Sequence, residues 1–136
     1  MTALFADTFY WIALTDILDS SYQDALDKAL KHDEALIVTT DEVLVEFLTF
    51  FAGPEPMRRK AVVIAQAILN DPGVRVIPQT RDSFLLGMQL YARRPDKRYS
   101  LTDCISMQTM RSHGITEVLT NDRHFEQEGF QALFRY

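Results

Sequence analysis

The chain has 136 residues, too few for two hydrophobic cores of ordinary size, so a single domain over 1–136 is expected. Hydrophobic residues make up 47% and charged residues 24%, which argues against a disordered chain or a fibrous repeat. With 14 Lys and Arg against 19 Asp and Glu the formal net charge is -5, which excludes a polycation holding nucleic acid by bulk charge and leaves only local basic patches for that purpose.

In chain order, Thr2 to Ala6 (TALFA) reads as a strand ending at Asp7, and helical stretches follow over Phe9 to Leu14 and Ser21 to Lys31. Leu36 to Thr39 is a second strand, leading into a helix over Asp41 to Phe51 that cannot continue through Gly53-Pro54. The next helix, Pro56 to Leu69, closes at the turn Asp71-Pro72-Gly73, before a third strand, Val74 to Ile77. Helices over Arg81 to Ala92 and Leu101 to His113 come next, with Gly114 suited to a left-handed cap. Glu117 to Leu119 is a short fourth strand and Gln131 to Phe134 an edge fifth. This alternation implies an α/β fold: a central, mostly parallel sheet of four to five strands with helices on both faces, because parallel strands need long crossovers.

Ligands of such sheets bind outside the carboxyl ends of the strands, and four acids are placed to converge there. Asp7 ends the first strand, Glu46 lies in the helix after the second, Asp103 opens the helix before the fourth, and Asp122 follows that strand. The ordinary role of Asp7, Asp103 and Asp122, all near helix starts, is capping; Ser100-Leu101-Thr102-Asp103 approximates a capping box. Glu46 shares a helical face with Val43, Phe47 and Phe50, where an unpaired charge is costly, whereas Glu42 falls nearer the solvated helix start. A divalent cation held by the other three would partner Glu46, and an all-carboxylate set suits Mg2+ or Mn2+.

Other chemistries find less support. Cys104 lies within an apolar helical segment and reads as packing, and as the single cysteine it fits a reducing compartment. His32, His113 and His124 show no zinc-ligand spacing with it. Neither G-x-x-x-x-G-K-[ST] nor G-x-G-x-x-G occurs, which removes the main support for P-loop or dinucleotide binding. A receiver domain wants paired acids at the first strand and a lysine after a late one; Asp7 stands alone and no lysine follows Leu119. There is no membrane-length apolar run and no signal-peptide pattern, so a cytoplasmic protein is expected, with no membrane partner.

The segments Phe5-Ala6-Asp7-Thr8, Thr39 to Glu46 (TTDEVLVE), Ser100-Leu101-Thr102-Asp103 and Leu119 to Phe125 (LTNDRHF) together resemble the PIN-domain ribonucleases, most of all the VapC-type toxins of type II toxin–antitoxin pairs. The resemblance runs over essentially the whole chain. It implies a three-layer α/β/α fold and Mg2+- or Mn2+-dependent endonuclease action on RNA that leaves 5′-phosphate and 3′-hydroxyl ends. It also implies a small antitoxin partner and a homodimer. Carried over residue by residue, the family's acids fall on Asp7, Glu46, Asp103 and Asp122 as metal ligands, Asp7 and Asp103 central, with Thr8 and Thr120 orienting ligands or water. A housekeeping RNA-processing nuclease and a non-catalytic RNA-binding module are the alternatives; the intact acid set speaks against the latter, because bare carboxylates repel phosphate.

Substrate contacts would come from basic clusters. Arg58-Arg59-Lys60 and the loop residues Arg93, Arg94, Lys97 and Arg98 hold half of the 14 basic residues. The second cluster is the better candidate because it leads into Asp103, with Tyr99 available to stack on a base; its bland alternative is a solvated loop. Arg123 has two readings, a contact to substrate phosphate and a structural or solvated first-turn role. The aromatics Phe9, Tyr10, Trp11, Phe47, Phe50 and Phe51 read as core first and as a partner groove second.

Overall fold

The computed structural model describes residues 2–136. Strands β1 (Ala3–Ala6), β2 (Leu36–Thr40), β3 (Val74–Ile77), β4 (Glu117–Leu119) and β5 (Gln131–Ala132) form one sheet, ordered β3-β2-β1-β4-β5. Every pairing is parallel, so the sheet expected to be mostly parallel is wholly so among the described residues. Helices α1 (Thr8–Thr15), α2 (Tyr22–Lys31), α3 (Asp41–Phe50), α4 (Met57–Asn70), α5 (Arg81–Arg93), α6 (Leu101–Ser112) and α7 (Arg123–Gln127) flank it and carry the crossovers. The sequence reading places six of these helices within a residue or two and omits α7, whose five residues are too short to show a periodicity.

β1 is the axis of the molecule. Phe5 pairs with Val38 on one side and Val118 on the other, and Leu4, Phe5 and Ala6 are fully buried, which is why this strand reads as an unbroken apolar run. From β1 the chain builds toward one edge through β2 and β3, and later toward the other through β4 and β5. The order therefore reverses between β1 and β4. At their carboxyl ends the connecting segments part in opposite directions and leave a crevice.

Packing around that crevice fixes the helices that line it. α6 is buried along most of its length, with Cys104, Met107 and Met110 fully enclosed. It lies close against α5, because a Cβ at Gly87 would sit 2.3 Å from the Ile105 Cγ1; glycine permits the approach. On α3, Val43 and Phe47 point into the core as the helical spacing implies, but Phe50 does not: it is 61% exposed. The last turn of α3 runs past the core, and Phe51, the residue capping it, turns inward instead, its ring edge-on to both Phe47 and Phe50.

Candidate active site

The four acids arrive at the crevice by different local logics. Asp7 follows β1 at the N-cap position of α1, with extended backbone, yet its side chain caps nothing. Its Oδ2 instead accepts a 2.9 Å hydrogen bond from Thr120 Oγ1, which reaches across from the end of β4. Asp7 is only 6% exposed. Burial pushes its carboxyl up to about 7, and the charges of Asp103 and Glu46 push the same way, against the Thr120 hydroxyl and the Thr8 backbone.

Asp103 and Asp122 do cap helices. Ser100 and Asp103 form a reciprocal capping box at α6, with the Ser100 N–H donating to Asp103 Oδ2 at 3.0 Å and the Asp103 N–H to Ser100 Oγ at 3.0 Å. Asp122 caps α7 through the His124 N–H, 2.9 Å from its Oδ1. The capping reading is thus right for two of the three aspartates and fails at Asp7. Capping uses one acceptor site on each carboxylate, at Asp103 Oδ2 and Asp122 Oδ1, and leaves the remaining lone pairs for a ligand. Burial, followed by the charges of Asp122 and Glu46, still raises the Asp103 carboxyl above its ordinary range, against the Ser100 N–H and His124.

Glu46 comes from α3, half-buried, and Thr8 Oγ1 donates to its Oε1 at 2.5 Å. Thr120 Oγ1 also accepts the Asp122 N–H at 3.2 Å, so one hydroxyl ties Asp7 to Asp122. Thr8 and Thr120, both buried, are therefore the two hydroxyls that donate to carboxylates of the acid set. Among the described residues no Lys or Arg pairs with any of the four acids. Four carboxylates gathered in one crevice, with no Lys or Arg beside them and only the His124 imidazole near two of them, leave negative charge uncompensated, and oxygen donors of this kind fit a hard divalent cation. Possible ligand atoms of Asp103, Asp122 and His124 lie within 4.8 Å of one another, which brings in a residue not assigned to the site from sequence, His124.

The proposed substrate contacts divide. Arg93 ends α5 and is exposed, as is Arg98 on the loop before Ser100, and Lys97 lies 3.7 Å from Asp96; Arg94, Pro95, Lys97, Arg98 and Tyr99 line a cavity of about 270 Å3 together with Tyr91. Arg94 is not free for phosphate, because its guanidinium grips Glu128 at 2.8 and 3.2 Å. Nor does Tyr99 offer a face for base stacking: it is 5% exposed and its hydroxyl donates to Glu128 at 2.9 Å. Arg123 is exposed on the first turn of α7. In the other basic cluster, Arg59 pairs with Glu55 and Arg58 donates to the Ala52 carbonyl.

Glu128 organises a second carboxylate site that sequence reading did not find. Its side chain is 4% exposed and also takes Arg111 at 2.9 Å. Burial alone would raise its carboxyl, but Arg94, Arg111 and Tyr99 outweigh that and hold it at about 2. Its partners stand 17 to 34 residues away, so no local spacing announces it. Burial pushes the enclosed Cys104 thiol up to about 11, which fits packing and not nucleophilic chemistry. His32 and His113 end α2 and α6, away from the four acids in the chain, and His113 Nδ1 lies 2.9 Å from the Thr109 carbonyl.

Comparison with known proteins bears on the family and the fold. The model of the PIN domain family matches residues 4–130. The 23S rRNA-specific endonuclease VapC20 of Mycobacterium tuberculosis is 28% identical over 127 residues, covering 93% of this chain and 95% of its own. The crystal structure of that protein, described as a Sarcin-Ricin loop cleaving toxin, superposes with a TM-score of 0.83 over the same shares of the two chains. FitAcB from Neisseria gonorrhoeae shares the fold, with a TM-score of 0.63 at 16% identity over 95% of each chain.

Proposed function

The chain belongs to the PIN-domain family, and on that premise we propose that it is a Mg2+- or Mn2+-dependent endoribonuclease, the toxin of a type II toxin–antitoxin pair acting in the cytoplasm. The observation that carries the reading is Asp7: a buried carboxylate, raised to about 7, at the switch point of the sheet, beside other acids and with no basic partner among the described residues. A structural carboxylate is ordinarily given a cation from the protein, as Glu128 is.

A phosphodiester is itself anionic and its leaving alkoxide is poor, so the site must neutralise charge and deliver a nucleophile at neutral pH. A divalent ion supplies both when bound, by polarising phosphoryl oxygens and lowering the pKa of a water. Asp7 and Asp103 are the central holders, Glu46 and Asp122 complete the set, and two threonines keep them in place. Thr120 occupies Oδ2 of Asp7 and leaves Oδ1 outside that bond, while Thr8 donates to Oε1 of Glu46 and leaves Oε2 outside it. Arg93, Lys97, Arg98 and Arg123 then supply the local positive charge that the chain lacks overall, tracking the RNA backbone on the approach to Asp103.

The partners follow from surfaces the core leaves open. Val45, Leu48 and Phe50 of α3 and Leu85, Leu86 and Met88 of α5 are exposed apolar residues, suited to an antitoxin segment or a second copy of the chain. No helix among the described residues is long and apolar enough to cross a membrane. Because the relative is named for 23S rRNA and its structure for the Sarcin-Ricin loop, an RNA carrying that loop is the first substrate to offer.

The test is cleavage of that RNA with sequencing of the new ends, by the wild type and Asp7→Asn, in Mg2+, Mn2+ and chelator. Cleavage that needs the metal and Asp7 and leaves a 5′-phosphate is expected. Cleavage that persists in chelator, or in Asp7→Asn, overturns the mechanism.

A further inference from the structure

We propose that His124 is a metal ligand of this site, closing its Asp103–Asp122 side and tilting its preference from Mg2+ toward Mn2+. The inference rests on the metal-dependent reading above and adds to it a residue outside the carboxylate set. His124 Nδ1 lies 3.3 Å from Asp122 Oδ1 and 3.5 Å from Asp103 Oδ2. That nitrogen is shut off from solvent and has no hydrogen-bond partner. It is therefore a buried polar atom aimed at two acceptors with nothing joining them, an arrangement that native structures seldom leave unexplained.

A proton shared between the imidazole and the carboxylates is the rival. It would draw the atoms to about 2.7 to 2.9 Å, the usual length of a charge-assisted hydrogen bond, and both separations exceed that. They come closer to the edge of a coordination octahedron, about 3 Å when the bonds are about 2.1 Å long. The carboxylates are also prepared for it: Asp103 is anchored by the Ser100 N–H and Asp122 by the His124 N–H, so neither has to reorganise.

The imidazole is braced from behind. Its ring centroid lies 5.2 Å from that of Tyr99, whose hydroxyl is held by Glu128, which Arg94 and Arg111 fix in turn. Ligating histidines commonly have their orientation set by such an outer layer. The consequence for specificity comes from ligand type. Mg2+ prefers oxygen and water and gives up its waters reluctantly, whereas Mn2+ stands in the transition series for which nitrogen donors add affinity.

The experiment is pulsed electron paramagnetic resonance of the full chain loaded with Mn2+, prepared with natural and with 15N-labelled histidine. A nitrogen hyperfine coupling that changes with the label is expected in the wild type, in His32→Gln and in His113→Gln, and is expected to vanish in His124→Phe. In the same variant Mn2+ affinity should fall about tenfold, while Mg2+ affinity holds within about threefold. Mn2+ bound by the wild type with no histidine coupling overturns the assignment of His124 and leaves the metal-dependent reading standing. A wild type that binds neither ion overturns both. The deciding signal is read on the wild type, so it does not depend on how the variants fold.

Discussion

Asp7 and Glu128 are both buried carboxylates, and the protein treats them in opposite ways. Glu128 receives two guanidinium groups and a phenol, and its carboxyl is held at about 2. Asp7 receives one threonine hydroxyl and has acids for neighbours, and its carboxyl rises to about 7. The first is a closed electrostatic account that ties the loop before α6 to α6 and to the end of α7. The second stays open, relieved near neutral pH by holding its proton or, on the metal-dependent reading proposed above, by a cation from outside the chain. Glu128 and Asp7 are distinguished by their partners, not by their burial.

The sharpest test of that contrast is one of activity. Asp7→Asn is expected to lower cleavage about a thousandfold, equivalent to about 4 kcal/mol of transition-state stabilisation, while the metal-free variant melts no lower than the wild type. Melting well below it would mean that Asp7 is structural and would dissolve the comparison. Glu128→Gln should do the reverse. Leaving its partners uncompensated is expected to cost about 2 kcal/mol in urea unfolding, less than for a fully enclosed pair because both arginines reach solvent. Cleavage per folded molecule should fall far less than in Asp7→Asn.

The pH dependence of stability in chelator separates the two more gently. Asp7, at about 7 against an ordinary 3.8, contributes stability that is fully present below 3.8 and is lost as pH rises through about 7. Glu128, at about 2 against an ordinary 4.5, contributes stability present above 4.5 and lost as pH falls through about 2. Thermal unfolding between about pH 4 and pH 7 should therefore show a decline in the wild type that flattens in Asp7→Asn; identical slopes would contradict the raised Asp7 carboxyl. The smallest effect lies within the basic loop. Arg93→Ala and Arg98→Ala should each reduce the salt dependence of RNA binding by a slope of about 0.7 to 0.9 without lowering the melting temperature. Arg94→Ala, by contrast, should lower the melting temperature, because its guanidinium belongs to Glu128.

Much of this was legible in the chain. The apolar run of β1 and the helical periods between strands imply the sheet; Asp7, Asp103 and Asp122 stand out by their places at strand and helix ends, and Glu46 by the apolar helical face it shares. What stayed hidden has physical causes. The helix α7 is shorter than two turns and has no period to read. Arg94 and Tyr99 look like substrate contacts because local spacing cannot show that a glutamate 29 to 34 residues later will claim both.

By itself, then, the sequence determined the alternation of strands and helices, and with it which residues end strands and open helices, because periodicity and capping act over a few neighbouring residues. Only the tertiary structure decided what each charge is for. Thr120 reaches Asp7 across 113 positions, Arg94 and Arg111 close on Glu128, and His124 turns its bare nitrogen toward Asp103 and Asp122. Electrostatic energy depends on distance in space and on exclusion of water, and neither is written in the order of the residues.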